Sequence, residues 1–339
     1  MMNCLTVKVL RRNIWECSMQ SSLMEIVKNR RNQVILVFFI MLTLYPLLLV
    51  DRPYFIWVAI MCNFFAVLVI NWDILLGYGN LLSFAHTGLL AVGAYSSVML
   101  VNWAQLPPLI GMFFGSANAA AMGFILGWIC LRLKGIYLAL ATWGFSGIVQ
   151  RILIAEYYIT GGLKGFPTSF LLPVSSFTSP IYYYYVSLLI LIICILSTFK
   201  LINSRYGLLL TAMGNDEIAL ASLGVNVTWL KISLFTISSF WIGLAGAFYS
   251  HLLGYVSPAI ADFATMMVTV MAATIVGGLG TFFGPIIGTF IIYPLIEVIR
   301  VFGGANQQLI LVIVILIFLK FLRNGLWGLV RILIAKQSV

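Results

Sequence analysis

Long apolar runs separated by short polar interruptions set the rhythm of this chain. A helix needs about 20 apolar residues to cross the hydrocarbon of a bilayer. Runs of that order lie at 34–50, 54–72, 83–102, 108–131, 135–154, 180–199, 229–251, 263–281, 284–300 and 308–322. The pattern predicts an all-α polytopic membrane bundle of about ten transmembrane helices, with room for a re-entrant piece within 74–102. A single transmembrane domain over 34–330 would follow a basic segment, 1–33, and precede a short tail, 331–339.

Charge then gives the bundle a direction. Lys8, Arg11, Arg12, Lys28, Arg30 and Arg31 cluster before the first run, and Lys320, Arg323, Arg331 and Lys336 close the chain. With both termini cytoplasmic, Arg132, Lys134, Lys200 and Arg205 also fall inside, with Lys231 at the edge. Of the nineteen basic residues, Arg52, Arg151, Lys164 and Arg300 are left on the outer side. That bias is the one the positive-inside rule requires. The net charge of +10 therefore reads as orientation, not as a nucleic-acid surface, since no soluble domain carries it.

Composition agrees. Hydrophobic residues make up 62% and charged residues 8% of the 339 positions, against roughly 25% charged in soluble domains. The five cysteines, Cys4, Cys17, Cys62, Cys130 and Cys194, have no metal-ligand spacing and read as small apolar residues. The first apolar run begins too late, and is followed too closely by the second, for a cleavable signal peptide. No Gly-Lys dipeptide is present, so the chain holds no Walker A loop. With two distant histidines and no HExxH or nucleophile elbow, no catalytic residue, metal or cofactor is expected.

The glycine pairs Gly123/Gly127, Gly243/Gly246 and Gly284/Gly288 are spaced to let helix backbones approach in lipid. Gly77–Leu82 and Gly277–Phe282 share a faint likeness, as an internal duplication would leave. Glu297 and Arg300 stand three apart and can pair on one helix face. Glu156 and Arg151 fall near the outer surface, and His251 at an outer helix end reads as interfacial. His86 lies within a Gly/Ser-rich segment, where both a structural and a pathway role are open.

The connection 200–228 is the most informative segment. Asn215 is placed to cap a short helix whose first turn carries Asp216 and Glu217, where negative charge suits the helix dipole. Ile218, Ala221 and Ser222 follow at helical spacing, and Gly224 is placed to end it. So short a helix is not stable alone and needs a surface, either its own bundle or a second protein.

Gly207–Val227 resembles the cytoplasmic coupling loop of ABC importer permeases, and most closely that of the branched-chain amino acid permease family, which includes urea permeases. The carrying residues are Asp216-Glu217-Ile218-Ala219 and Leu223-Gly224. Further blocks follow in the family's order. They are Gly77-Tyr78-Gly79-Asn80-Leu81-Leu82-Ser83-Phe84-Ala85-His86 through Gly93-Ala94-Tyr95, then Leu133-Lys134-Gly135-Ile136-Tyr137 with Thr160-Gly161-Gly162. Val276–Thr281 with Gly284-Pro285-Ile286-Ile287-Gly288 completes the set, and the likeness spans roughly 54–330. Two departures stand out: Thr211-Ala212-Met213-Gly214 replace arginines usual before the Asp-Glu pair, and Glu217 to Gly224 is one residue longer than in the commonest loop.

The resemblance implies a non-catalytic permease subunit in the inner (plasma) membrane. It would pair with a second permease, identical or not, and with two cytoplasmic ATPases and an extracytoplasmic solute-binding protein. Branched-chain amino acids are the implied solute, with urea or another small polar solute as the alternative. Arg205, Asp216, Glu217, Ile218, Ala219 and Gly224 would form the ATPase-coupling loop. Ser83, His86, Gly93, Tyr137 and Gly278 are candidates for the translocation path, and Thr160, Gly161, Gly162 and Lys164 for docking of the binding protein. The competing class is an ion-coupled secondary transporter using Asp262, Glu297 or Glu156.

Overall fold

A computed structural model describes residues 41–46, 52–130, 133, 135–171, 179–303, 310, 312, 313 and 325. The chain divides into two units, 1–51 with 328–339, and 52–327. In the first, residues 41–46 are helical. The second carries the bundle.

Helix α1 (Pro53–Asp73) opens on a proline, whose fixed φ and missing N–H are harmless in a first turn. It runs on through a π-turn at Ile74–Tyr78. Every residue from Val58 to Asp73 is buried, as its all-round apolar character demands. Next come α2 (His86–Ala104), α3 (Pro108–Ile129), α4 (Ile136–Ala155) and a single turn, α5 (Tyr157–Thr160). A two-residue strand β1 (Phe166–Pro167) precedes α6 (Ser179–Ile202), α7 (Arg205–Asn215), α8 (Glu217–Ser222) and α9 (Val227–Leu253). Strand β2 (Tyr255–Val256) pairs antiparallel with β1, Phe166 opposite Val256. A 3₁₀ turn (Pro258–Ala261), a π-turn (Phe263–Met267), α10 (Val268–Gly277) and α11 (Phe283–Gly303) complete the order.

Among the described residues seven helices are long and apolar enough to cross a membrane: α1 with its π-turn, α2, α3, α4, α6, α9 and α11. The expected run 263–281 is not one of them. Its helical part, Phe263–Gly277, is too short: at 1.5 Å per residue it falls short of the roughly 30 Å hydrocarbon layer. Asp262 caps its start by accepting from Thr265 N at 3.0 Å, and Gly278, at φ +114°, ends it. The segment 1–33, the tail 331–339 and most of the expected runs 34–50 and 308–322 lie outside the described residues, as do Cys4 and Cys17.

Inside the bundle α9 packs on α3 and α2, while α1 is flanked by α6 and α11, and α10 lies along α11. The α2–α3–α9 contact is backbone against backbone. A Cβ added at Gly93 would lie 2.4 Å from Gly243 Cα, and one at Gly115 would lie 2.4 Å from Gly93 O. On α11, a Cβ at Gly288 would lie 2.2 Å from Ala273 O of α10. Lipid is as apolar as the helices, so their association depends on such close packing. Polar ties supplement it: Asn63 Nδ2 of α1 donates to Ser187 Oγ of α6 at 3.0 Å.

His251 departs from expectation. It is fully buried, with Nε2 2.9 Å from Ser97 Oγ and Nδ1 2.9 Å from Ser169 O. The turn that covers it comes from residues more than eighty positions earlier, which no local pattern reveals. Buried Cys62, Cys130 and Cys194 are free thiols.

Gly144 and Gly147 of α4, unlike the packed glycines, have nothing within 4 Å of an added Cβ. Gly243→Val should therefore lower the thermal stability of the purified protein by an amount typical of overpacked cores, about 1–3 kcal/mol. Gly144→Val should leave it nearly unchanged. Equal effects of the two substitutions in a detergent melting assay would contradict the packing described.

Candidate translocation and coupling site

The connection 200–228 folds into two helices, not one. Ser204 caps α7 by accepting from Tyr206 N at 3.2 Å. The chain then leaves helical geometry at Asp216 (φ −150°, ψ 103°), whose Oδ1 accepts from Ile218 N and Ala219 N at 2.9 and 3.0 Å. The cap expected at Asn215 is thus Asp216, because α7 runs through Asn215 and uses it as its last residue. Gly224, at φ +81°, follows the end of α8 in the left-handed conformation glycine supplies at such ends.

Leu220 is the buried anchor of α8. Glu217 fixes the helix laterally: its Oε1 accepts from Lys231 Nζ of α9 at 2.7 Å, with side chains 30% and 6% exposed respectively. The opposite face carries Ile218 at 73% and Leu223 at 80% exposure, with Ala219, Ala221 and Ser222 also exposed. Arg205 stands exposed at the start of α7. Tyr206 ties α7 to α9 through its hydroxyl, which donates to Leu230 O at 3.1 Å. Burial pushes the pKa of that hydroxyl up, offset in part by its hydrogen bond to Ser233.

Helix α7 in turn rests on the glycine segment after α1. Asn80 Nδ2 donates to Gly214 O at 3.2 Å, and a Cβ on Gly214 would meet Tyr78 O at 2.6 Å. A larger residue at 214 would collide there. Gly77 meets the second glycine segment: a Cβ on it would lie 2.5 Å from Gly280 N. Asp73, buried at the end of α1, accepts from Gly280 N through Oδ1 at 2.8 Å. Contacts therefore run unbroken from α8 through α7 and Tyr78–Asn80 to the junction of α10 and α11.

The candidate path residues are dispersed. Ser83 and His86 lie together at the start of α2, both buried. Ser83 Oγ accepts from Ala85 N at 3.3 Å, and its carbonyl accepts from Trp72 Nε1 at 2.8 Å. Neither ring nitrogen of His86 has a hydrogen-bond partner in the structure. Gly93 sits in the α2–α3–α9 contact. Tyr137, at 74% exposure, projects from the first turn of α4, away from the others. Gly278 is buried and adjoins Gly325, whose added Cβ would lie 2.5 Å from Gly278 Cα.

Residues 54–322 match the family described as branched-chain amino acid transport system / permease component. The chain belongs to this family. Two relatives are the high-affinity branched-chain amino acid transport system permease proteins LivM of Salmonella typhimurium and Escherichia coli, each 30% identical over 75% of this chain and 65% of their own length. The match thus covers just under two thirds of those proteins. The fructose import permease protein FrcC of Rhizobium meliloti is 26% identical over 68% of each chain. No solved structure matches the chain.

As a member of the permease family with seven candidate spans, the chain is a multi-pass membrane protein. The 155–171 segment is ordered by its own side chains. Thr160 Oγ1 donates to Leu153 O at 2.6 Å and accepts from Gly162 N at 3.2 Å. Gly161 takes φ +75° to end α5, and Lys164 projects into the open. Glu297 and Arg300 pair at 3.3 Å, while Tyr293 donates to the same carboxylate at 2.9 Å.

Asp73 escaped the sequence reading. Its signal was available: it is the acid lodged in an apolar run directly before Gly77. A double-mutant cycle on Lys231→Met and Glu217→Gln should show a coupling of about 0.5–3 kcal/mol in thermal unfolding, the range found for residues in contact. Strict additivity would remove the ion pair as a tie between α8 and α9.

Proposed function

We propose that this chain is the membrane-spanning permease subunit of an ABC importer in the inner membrane, carrying branched-chain amino acids. Family membership supports the class, and the LivM relatives support the solute. The observation that carries the mechanism is α8. A helix of six residues cannot hold its shape alone, yet it is capped, anchored and ion-paired while Ile218 and Leu223 point outward. An apolar face held open on so firmly attached a helix suits the docking of a separate ATPase.

In this reading both termini and α7–α8 are cytoplasmic, in keeping with the basic residues at both chain ends. Two ATPase subunits engage the paired permeases, one at each α8. ATP binding and hydrolysis move the ATPases, and the contacts through Gly214, Tyr78 and Gly280 pass that motion to α1, α10 and α11. An external binding protein docks on the opposite side, where Thr160–Lys164 lies. Arg205, Asp216, Glu217, Ile218, Ala219 and Gly224 act as the coupling loop, each through the contact or exposure described for it. Catalysis of ATP hydrolysis belongs to the partner subunits.

Replacing both Ile218 and Leu223 by Asp should abolish co-purification of the ATPase subunits and reduce leucine uptake by about tenfold or more, the effect of losing roughly 1.4 kcal/mol or more of interface energy. Membrane insertion should persist, because neither side chain is buried. Normal ATPase retention and normal uptake by this variant would sink the coupling assignment.

A further inference from the structure

Helix α4 is the least covered of the bundle's spans, sharing the lowest burial with α6, and it carries an unusual face. Trp143, Gly144, Gly147, Gln150 and Arg151 line an open cavity of about 450 Å³ to which Ala261, Asp262 and Phe263 also contribute. That volume falls in the range of small-molecule sites, about 300–1,000 Å³. Trp143 and Phe263 meet edge to face at 6.1 Å and supply an apolar wall. Gly144 and Gly147 leave the floor bare, with no atom near where a side chain would be.

The charges in this cavity are what set it apart. Arg151 lies in the last turn and a half of α4, near the end of the span, where a cation is kept by water, a partner or a ligand. It is exposed and makes no hydrogen bond or ion pair among the described residues. Asp262 spends Oδ2 on Thr265 N and Oγ1, at 3.0 and 2.9 Å, leaving Oδ1 without a partner among the described residues. Gln150 is held against Pro258 O at 3.4 Å. A second cavity, of about 260 Å³, is lined by Glu297, Arg300, Tyr249 and Tyr293, but there the carboxylate and guanidinium already satisfy each other.

The geometry points to the α4 cavity as a transit site for the head group of an α-amino acid, Arg151 receiving its carboxylate and Asp262 Oδ1 its ammonium. This assignment rests on the importer reading above. A zwitterion brings one charge of each sign, matching a wall with an unpaired cation and a half-free carboxylate, and a guanidinium is well formed to hold a carboxylate through two parallel hydrogen bonds. Trp143 and Phe263 suit a branched aliphatic side chain. A sugar, being neutral, would leave both charges unanswered.

The test is uptake of radiolabelled L-leucine by the complete importer in membrane vesicles, at saturating binding protein, with assembly followed by co-purification of the ATPase subunits. Arg151→Gln and Asp262→Asn should each lower the maximal rate by about tenfold or more, while Arg151→Lys, which keeps the charge but not the paired hydrogen bonds, should recover part of it. Asn at 262 keeps an oxygen to cap Thr265, so its loss reports on charge and not on the turn. Should either variant fail to assemble, Gly147→Trp decides, since it fills the cavity from an open surface; blocked uptake is expected. Leucine uptake near the wild-type rate by Arg151→Gln, Asp262→Asn and Gly147→Trp would overturn the site alone. A wild-type complex that transports another solute but no leucine would overturn the site together with the reading beneath it.

Discussion

Close approach of helix backbones at glycine is the constraint on which this bundle depends. In water, apolar faces associate because burial removes them from solvent; in lipid that gain is absent, and cohesion falls to van der Waals contact and hydrogen bonds. Gly93, Gly115 and Gly243 bring α2, α3 and α9 so near that no side chain fits between them. Gly277, Gly284 and Gly288 do the same for α10 and α11. The larger apolar residues are then free to face lipid or fill what the backbones leave.

The same constraint makes the bundle's α8 end mechanically direct. Between Gly214 and Tyr78, and again between Gly77 and Gly280, backbone meets backbone without a compliant side chain to absorb displacement. Asp73 fastens the second of these contacts with a hydrogen bond to Gly280 N. Under the importer reading, a push on α8 cannot dissipate in rotamer changes at these points. It reaches the ends of α1 and α10 as a shift of main chain. The ion pair between Lys231 and Glu217 keeps α8 from swinging independently of α9.

Spans were legible because hydrophobic runs of the required length leave little else for a chain to be, and prolines at 53 and 108 mark two of their starts. Short interruptions were harder. Asn215 and Asp216 are both good caps, and only the continuation of α7 through Asn215, with Gly207, Leu210 and Met213 buried three apart on one face, decides between them. The segment 263–281 has the composition of a span but not the helical length, since Asp262 and Gly278 bracket it more tightly than hydropathy shows. His251 and Asp73 owe their burial to partners far along the chain. Tertiary contact, not local pattern, placed them.

Under the importer reading, a scaffold closed by glycine is indifferent to what passes through it. Close contacts such as Gly93 on Gly243 fix helix spacing and carry no chemical preference for a solute, which fits a family whose matched relatives are named for an amino acid in two cases and for fructose in another. Selectivity must then come from residues the scaffold does not consume. On α4 those are Gly144 and Gly147, which pack against nothing, and Arg151, which lies beside Asp262 in the wall of one cavity. Arg151 stands exposed near the end of its span, a place where a cation can meet water or a bound anion. Under the importer reading, the anion proposed to meet it there is the carboxylate of the solute.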